Sequence, residues 1–429
     1  MKYEQIDKQL FIENRKKLVP FLDKGSLAIF NANDVMPTNA DGTMPFRQNN
    51  DLFWLSGVDQ EESVLLLYPE NPNEKEREML FLKETSALIA IWEGEKLTKE
   101  NAFNTSGIKT VYWLEELEGK LKELVGKADR VYLNKNMHSR STSQVQTRDD
   151  RFRLMIEEKF SGKEIKEVAP IMHELRCVKS EIEISLMQKA CDITEKGLRR
   201  ILPFIKPGVM EYEIEAELLH EFLRNRSAGF AYQPIIGSGI DSCVLHYIEN
   251  NKICKDGDIL LMDFGAEYAN YASDLTRTVP VNGRFSKRQK AVYNAVLHVM
   301  KEATNMLVPG TIFKDYNLEV SKIMESELIK LGLLDKHDVQ KQDAENPLYK
   351  KYFMHGTSHS LGLDVHDVGS FKTPMREGMV FTCEPGIYIL EEELGIRLEN
   401  DVLVTKDKPF DLMGNIPIEL NEIEEMMNA

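Results

Sequence analysis

Three histidines lie close together in a glycine-rich segment towards the end of the chain. His355, His359 and His366 all fall in Phe353-Met-His-Gly-Thr-Ser-His-Ser-Leu-Gly-Leu-Asp-Val-His-Asp-Val-Gly369, although the whole chain has only nine histidines. The first two are spaced for one helical face, but the residues between them are poor helix formers and the glutamate of a zinc-protease H-E-x-x-H helix is absent. Taken alone, the cluster fits a structural role as well as a chemical one.

Two aspartates earlier in the chain could supply acidic partners. Asp263 ends an apolar, strand-like run, and Asp274 follows it after the turn residues Gly265 and Asn270. Such a segment can fold back as a hairpin and bring both carboxylates to one point. A single aspartate at a strand end is usually a turn or capping residue, so each also has an ordinary structural explanation.

A second acidic pair follows the histidine segment. Glu384 ends another apolar run, and Arg397 and Glu399 are two residues apart, which predicts that they share one face of the next strand. Carboxylates embedded in apolar strands are costly to bury unless they are paired or coordinate a cation. Arg397 can pair with one of the four, and a divalent metal is the expected partner of the others.

The expected ligand set is hard, because it consists of four carboxylates and one imidazole. Such a set favours Mn²⁺, with Co²⁺, Fe²⁺ or Zn²⁺ as alternatives, and disfavours a thiolate-type site. Four negative ligands balance two divalent ions. Two metals roughly 3.5–4 Å apart can hold a bridging hydroxide and clamp a carbonyl group under attack. The chemistry that we expect is hydrolysis.

The overall composition limits the partners of the protein. A chain of 429 residues is expected to form two domains. Its formal net charge of −16 argues against nucleic acid or an anionic membrane as a partner. Its five cysteines contain no C-x-x-C pair, which is typical of a reducing compartment. No signal-like segment and no membrane-spanning apolar run is evident, so we expect a cytoplasmic protein.

The elements that must position these residues follow two different patterns. In the first part, an amphipathic helix over residues 6–22 precedes predicted strands at 26–30, 51–57, 63–68, 79–82 and 130–133, with helical segments at 114–125 and 151–160 between and after them. This alternation predicts a small α/β domain over residues 1–172.

The second part, residues 173–429, contains a weak internal repeat. Two long helices, at 180–202 and 210–225, precede strands at 234–237, 243–247 and 259–264, and another helix pair, at 287–307 and 312–331, precedes strands at 379–384 and 396–404. A Pro-Gly pair separates the helices in each case. The repeat predicts two similar halves that close around a shared site.

Five motifs around the acidic residues and the histidines resemble those of the pita-bread metallopeptidases, a family that includes methionine aminopeptidase, prolidase and aminopeptidase P. They are Leu-Met-Asp-Phe-Gly, Ala-Ser-Asp-Leu-Thr-Arg-Thr, His-Gly-Thr-Ser-His, Cys-Glu-Pro-Gly-Ile-Tyr and Gly-Ile-Arg-Leu-Glu-Asn-Asp. The segment Pro45-Phe-Arg-Gln-Asn-Asn-Asp-Leu-Phe-Trp-Leu-Ser-Gly57 is similar to the N-terminal domain of aminopeptidase P, which methionine aminopeptidases lack. The resemblance covers nearly the whole chain.

The resemblance implies an α/β N-terminal domain and a C-terminal α+β pita-bread domain with pseudo-two-fold halves. It also implies two divalent metal ions per chain, a metal-bridged hydroxide as nucleophile, and cleavage of peptides between the first residue and a proline. The implied metal ligands are Asp263 for one metal, Asp274 and Glu399 for both, and His359 with Glu384 for the second.

Further roles are implied near the scissile bond. Glu384 would also act as general base, His366 and His246 would stabilise the oxyanion or transfer protons, and His355 would line the proline pocket. Arg397 would orient an aspartate ligand. Proline supplies no N–H, so its ring nitrogen must leave as a protonated secondary amine.

Two residues of the first domain also match family positions. Asp41 would meet the substrate ammonium group, and Trp92 would reach the site of a neighbouring subunit in a homo-oligomer, either a dimer or a tetramer. The ordinary explanations are that Asp41 is a turn residue ahead of Gly42 and that Trp92 is a core or interface aromatic.

Two other functions remain open at this point. Some prolidases carry a version of the N-terminal domain, and a prolidase would take Xaa-Pro dipeptides instead of longer peptides. A non-catalytic binding protein could use the same fold, although such relatives lose metal ligands and all five are present here.

Overall fold

The computed structural model describes residues 2–369 and 371–429, which form two units. The first unit is Gln5–Arg176, and the second is Cys177–Ala429 together with residues 2–4. The limit of the first domain at residue 172 stays a prediction. Among the described residues, no helix combines the length and the apolar character that crossing a bilayer requires.

A six-stranded mixed sheet forms the centre of the first unit, with its strands in the order β4-β3-β2-β1-β5-β6. The strands are β1 (Ser26–Asn31), β2 (Val64–Leu67), β3 (Glu78–Leu82), β4 (Thr110–Trp113), β5 (Arg130–Leu133) and β6 (Glu164–Glu167). The helices are α1 (Gln9–Leu18), α2 (Asn50–Ser56), α3 (Ala87–Glu93), α4 (Lys99–Ser106), α5 (Leu117–Lys127), α6 (Arg148–Lys159) and α7 (Ala169–Cys177).

Strand β1 lies inside the sheet, with a neighbour on each side, and is buried along its whole length. Ile29 lies opposite Leu66 of the antiparallel strand β2 and opposite Leu133 of the parallel strand β5. Leu124 of α5 and Ile156 of α6 belong to the same apolar core. Continuous apolar runs of this kind are expected for strands that are covered on both faces.

The predicted strand at residues 51–57 is wrong, because this segment is helix α2. The side chain of Asn49 accepts hydrogen bonds from the backbone N–H groups of Asp51 and Leu52, and Gly57 ends the helix with a left-handed φ of 67°. An N-cap asparagine and a C-terminal glycine are standard helix limits. Residues 51–56 are all buried, so the run shows no amphipathic period.

The second unit confirms the predicted order of two helices followed by strands, twice over. Its first half contains α8 (Glu181–Ile201), α9 (Glu211–Arg224), β7 (Ile235–Ser238), β8 (Ile259–Phe264), β9 (Glu267–Tyr268), β10 (Tyr271–Ala272) and β11 (Leu275–Pro280). Its second half contains α10 (Lys287–Asn305), α11 (Phe313–Lys330), α12 (Lys336–Gln340), β12 (Val380–Cys383), β13 (Gly386–Ile389), β14 (Leu394–Arg397), β15 (Asn400–Leu403), β16 (Phe410–Asp411) and α13 (Leu420–Met427).

The strands of each half pair antiparallel. Strand β8 lies between β7 and β11 in the first half, and β15 lies between β12 and β16 in the second, where β13 and β14 form a separate hairpin. The predicted strand at 243–247 is wrong. A 3₁₀ segment over Gly239–Cys243 leads there into an irregular loop, and Val244 is 46% exposed, so the alternation of apolar residues reflects no sheet.

Candidate metal and catalytic site

The predicted hairpin between Asp263 and Asp274 is present. Strands β8 and β11 pair so that Asp263 lies opposite Thr276, and the short β9–β10 hairpin links them. Gly265 permits this approach, because a Cβ atom there would lie 1.7 Å from the carbonyl oxygen of Ser273. The hydroxyl of Tyr232 lies within hydrogen-bond distance of both aspartate side chains, at 2.6 Å from Oδ1 of Asp263, so its single hydrogen is shared between them. One hydroxyl group therefore connects the two carboxylates.

The histidine segment runs beside strand β12 and brings His359 to the same place. The backbone of His359 exchanges hydrogen bonds with Thr382, and the backbone N–H of Glu384 donates to the carbonyl oxygen of Thr357 at 2.8 Å. The Nε2 atom of His359 lies 3.4 Å from Oδ2 of Asp274 and 3.5 Å from Oε1 of Glu384. The imidazole thus lies between acidic groups from the two halves.

Glu399 reaches the site in a way that strand alternation did not predict. The predicted strand at 396–404 is divided, because β14 ends at Arg397 and β15 begins at Asn400. Glu399 instead forms an isolated bridge with Thr276 of β11: its N–H donates to the carbonyl oxygen of Thr276 at 3.1 Å, and its Oε2 accepts from the Thr276 hydroxyl at 2.6 Å. The prediction that Arg397 and Glu399 belong to one strand is wrong.

These contacts join all five predicted ligands in one cluster. Ligand atoms of Asp274, His359 and Glu399 lie within 4.8 Å of one another, which is close enough for a common metal ion. Asp263 joins them through Tyr232, and Glu384 joins them through His359.

The electrostatics of the cluster are unfavourable without a cation. Burial, reinforced by the neighbouring carboxylates, raises the pKa values of Asp274 and Glu399 well above their usual range. Arg397 compensates part of the charge: its Nη2 donates to Oδ2 of Asp263 at 2.5 Å. The other guanidinium nitrogens donate to the hydroxyls of Tyr388, at 3.0 Å, and Thr276, at 3.1 Å. One guanidinium cannot balance four carboxylates.

The donor set fits divalent metal ions. Nδ1 of His359 lies 3.1 Å from the carbonyl oxygen of Ser360, which favours the hydrogen on Nδ1 and leaves the lone pair on Nε2, the atom that faces Asp274 and Glu384. Carboxylate oxygens with one imidazole nitrogen form a hard ligand set. Buried like charges that a cation would neutralise are what such a site requires.

The other predicted histidines have different surroundings. Nε2 of His355 lies 2.8 Å from the Tyr388 hydroxyl, and burial, together with the charge of Arg397, lowers the pKa of His355 to about 4, so it is neutral at pH 7. The ring of His366 packs edge-on against that of His359, with 4.3 Å between centroids. His246 is exposed on the loop that follows the 3₁₀ segment.

Asp41 and Trp92 lie on the surface of the first unit. Asp41 is exposed beside Gly42, whose carbonyl oxygen accepts hydrogen bonds from Thr38, so the turn explanation of this aspartate fits its surroundings. Trp92 is 82% exposed near the end of α3, so the explanation of this residue as a core aromatic is wrong. The substrate roles of both residues stay predictions.

The sequence did not reveal three residues that hold the site together, namely Tyr232, Thr276 and Tyr388. Thr276 had a signal, since it follows Asp274 by two residues and would share its strand face. Tyr388 ends the motif Cys-Glu-Pro-Gly-Ile-Tyr, but the motif did not indicate its contacts, and Tyr232 had no signal, because both hydroxyls reach the site through long-range packing.

Comparisons with known proteins agree with this geometry. Residues 185–406 match the metallopeptidase family M24, and residues 11–132 match the aminopeptidase P N-terminal domain. The chain belongs to metallopeptidase family M24, with an aminopeptidase P N-terminal domain ahead of the catalytic domain. This confirms both the predicted family and the predicted two-domain fold class.

The similar proteins extend over the full chain. Xaa-Pro aminopeptidases of Haemophilus influenzae and Escherichia coli are 35% and 34% identical, and the matches cover 99% of this chain and 98% and 99% of theirs. A zinc-substituted structure of Escherichia coli aminopeptidase P in complex with product gives a TM-score of 0.89 at 33% identity, and Pseudomonas aeruginosa aminopeptidase PepP gives 0.90 at 31%. Each of these structural matches covers 99% of both chains.

Proposed function

We propose that this protein is a Xaa-Pro aminopeptidase, a metallo-exopeptidase that removes the first residue of a peptide when proline follows it. The observation that carries the proposal is the buried cluster of Asp274, His359 and Glu399, whose ligand atoms lie within 4.8 Å of one another. The cluster occurs in a chain that is 34–35% identical over its full length to Xaa-Pro aminopeptidases.

The proposed centre holds two divalent ions. Asp263 would bind one of them, Asp274 and Glu399 would bind both, and His359 with Glu384 would bind the other. Charge balance supports this number, because four carboxylates neutralise two divalent cations. The oxygen-rich ligand set favours Mn²⁺, and Co²⁺, Fe²⁺ and Zn²⁺ are the alternatives.

When bound, such a pair of metal ions supplies an activated water nucleophile and polarises the scissile carbonyl. Glu384 is the proposed general base. Its side chain is 20% exposed, so water can reach it, and its Oε2 lies 3.9 Å from Nδ1 of His355. His355 is neutral at pH 7 because its pKa is about 4, so it does not compete with the metals for the charge of Glu384.

Departure of the proline nitrogen requires a proton and a fixed carbonyl group. His366, packed against His359, and His246, on an exposed loop, are the proposed groups that stabilise the oxyanion or deliver that proton. Arg397 would act on a metal ligand, because its hydrogen bond to Oδ2 of Asp263 orients this carboxylate. His355 and Tyr388 would line the pocket for the proline ring.

We further propose that the protein binds peptides with proline in second position and binds neither nucleic acid nor membrane. We also propose that it is a cytoplasmic homo-oligomer, either a dimer or a tetramer. Helix α3 supports self-association, because Leu88, Ile91 and Trp92 are 65%, 78% and 82% exposed. Apolar side chains grouped in this way often mark a contact surface. Light scattering after size-exclusion chromatography measures the number of subunits.

The decisive experiment compares Xaa-Pro-Yaa tripeptides with Xaa-Pro dipeptides, using metal-stripped protein before and after addition of Mn²⁺. We expect metal-dependent release of the first residue from tripeptides and poor cleavage of dipeptides. Preference for dipeptides would support the prolidase alternative. Bound metal without cleavage of either substrate would support the non-catalytic binding protein. The E384Q variant is the control, since it should retain the fold and lose turnover.

A further inference from the structure

The loop that carries His246 is only partly fixed by apolar burial, because Cys243, Leu245 and Tyr247 pack in an apolar cluster whereas the residues next to them are largely exposed. It spans residues 239–252 between β7 and β8, begins with a 3₁₀ segment and contains no strand. His246 is exposed, and Val244 and Ile248 on either side are 46% and 42% exposed. Segments with few buried apolar contacts open readily unless polar contacts hold them. The position of the imidazole therefore depends on hydrogen-bonded anchors as well as on this packing.

One buried carboxylate supplies several of these anchors. Glu211, the first residue of α9, is 0% exposed. Its Oε1 accepts hydrogen bonds from the N–H and the hydroxyl of Ser238, at 2.9 and 2.7 Å. Its Oε2 accepts from the Tyr247 hydroxyl at 2.8 Å and from the N–H of Lys252 at 3.0 Å. These donors lie just before the loop, beside His246, and at the end of the loop.

Tyr247 is the anchor nearest to the imidazole, since it follows His246 directly. It is 6% exposed, and its ring belongs to a small apolar cluster with Ile235, Leu261 and Tyr388. Burial, helped by the charge of Glu211, raises the pKa of Tyr247, so its hydroxyl stays protonated and donates to the carboxylate. Hydrogen bonds to a charged acceptor are stronger than neutral ones.

The other anchors hold the loop further from His246. Asn250 accepts from the N–H of Ile236 at 2.9 Å and donates to the carbonyl oxygen of Pro234 at 3.0 Å. The hydroxyl of Ser242 accepts from the N–H of Gly395 at 2.8 Å. With both ends held in this way, loss of the Tyr247 contact would loosen the middle of the loop without releasing its ends.

We propose that Glu211 is a positioning residue for His246 and acts on it through the hydroxyl of Tyr247. The inference rests on the proposed function, because His246 serves the reaction only if peptides are cleaved at this site. A loose loop lowers the fraction of time in which the imidazole is in place, so turnover falls while the metal ligands are unaffected.

The test uses the Y247F variant, with E211Q as a second variant and Y212F as the matched control. Tyr212 lies on the same helix and is 52% exposed. We expect Y247F to lower kcat for a Xaa-Pro-Yaa tripeptide about tenfold, with KM and Mn²⁺ affinity changed less than about twofold. E211Q should lower kcat further, and Y212F should match the unmodified protein.

A double-mutant cycle separates positioning from general damage. In an H246A background, Y247F should have no additional effect on kcat, because the residue that it positions is already gone. A full tenfold loss in that background would overturn the proposal, as would an unchanged kcat for Y247F alone.

Hydrogen exchange tests whether Glu211 and Tyr247 hold the loop, even if the protein cleaves no peptide. Y247F and E211Q should increase amide exchange in residues 244–252 while leaving strands β8 and β11 protected as before. Unchanged exchange in the loop would overturn the proposal that these hydrogen bonds hold it. Increased exchange in a protein without peptidase activity would support the role of Glu211 in holding the loop and would contradict only the proposed function.

Discussion

Arg397 donates a hydrogen bond from Nη2 to Oδ2 of Asp263 at 2.5 Å, and the two side chains are only 4% and 14% exposed. The pair joins strand β14 of one half of the second unit to strand β8 of the other. The orientation of a proposed metal ligand therefore depends on how the two halves meet.

Removal of this guanidinium should weaken metal binding. We expect R397A to lower Mn²⁺ affinity 10–100-fold, which is typical when a group that orients a ligand is lost. R397K should lie between R397A and the unmodified protein, because lysine keeps the charge but cannot donate to Asp263, Tyr388 and Thr276 together. Calorimetric titration of metal-stripped protein measures both effects. Unchanged affinity in R397A would contradict the orienting role.

Tyr232 should act on the same ligands from the opposite side. Its hydroxyl lies within hydrogen-bond distance of Asp263 and Asp274, so Y232F leaves both carboxylates without this donor. We expect about tenfold weaker Mn²⁺ binding and a loss of about 1–3 kcal/mol in the unfolding free energy of the metal-free protein.

The control is Y293F, which removes another buried hydroxyl from the same unit. Tyr293 donates to the carbonyl oxygen of Ile418 at 2.7 Å. This variant should lose stability and keep its metal affinity. Equal metal affinities for Y232F and Y293F would show that Tyr232 has no special relation to the ligands.

Metal binding should displace protons. Because the pKa values of Asp274 and Glu399 are raised, the metal-free protein keeps protons on these groups at a pH where free carboxyl groups have lost them. Metal ligands must be deprotonated, so Mn²⁺ affinity should fall as the pH falls. Titration in two buffers of different ionisation enthalpy measures the protons released. Absence of proton release at a pH above the ordinary carboxyl range would contradict this account.

The same groups predict how stability depends on pH. The unfolded chain binds fewer protons than the metal-free folded chain above the ordinary carboxyl pKa, so the stability of the metal-free protein should fall as the pH rises from there. Mn²⁺ at 100 times its Kd should add about 2.7 kcal/mol. Melting temperatures with and without a chelator, from pH 5 to 8, test both trends, and parallel curves would refute the linkage.

How far the sequence could predict the site depended on the range of each interaction. The hairpin around Asp263 and Asp274 was predictable, because the turn residues Gly265 and Asn270 lie within it. The bridge between Glu399 and Thr276 was not, because it pairs segments from separate halves. Propensity and alternation describe neighbours in the chain, whereas this contact depends on packing between distant segments.

The first unit shows the same limit at the level of secondary structure. Its sheet was predictable from apolar runs such as that of β1, yet the equally apolar run 51–57 forms helix α2. Periodicity cannot distinguish a short buried helix from a buried strand. The cap formed by Asn49 and the left-handed Gly57 were the only local signals, and asparagine and glycine occur in turns just as often.

A half-buried acidic group in the first unit gives a prediction that is independent of metal. Asp149, at the start of α6, accepts a hydrogen bond from the side-chain amide of Asn31 at 2.9 Å, and burial raises the pKa of Asp149 to about 6. In the part of the chain that the structure describes, Oδ1 of Asn31 has no hydrogen-bond partner. A protonated Asp149 has an O–H group that can donate to this oxygen, so its neutral form fits these surroundings better than its charged form.

The folded-state pKa lies above the unfolded value, so Asp149 makes the protein less stable as the pH rises from about 4 through 6. D149N should remove this loss and raise the unfolding free energy at pH 7 by at most about 3 kcal/mol, with the gain vanishing near pH 4. Urea unfolding followed by tryptophan fluorescence reports on this unit, because Trp54, Trp92 and Trp113 all lie within it.

The neighbouring aspartate provides the matched control. Asp150 accepts hydrogen bonds from the N–H and the hydroxyl of Thr147, which lower its pKa, so its charge stabilises the first turn of α6 above the unfolded pKa. D150N should therefore lower stability at pH 7, with the effect disappearing as the pH falls through the carboxyl range. If D149N lowers stability at pH 7 as D150N does, the surroundings of Asp149 do not raise its pKa.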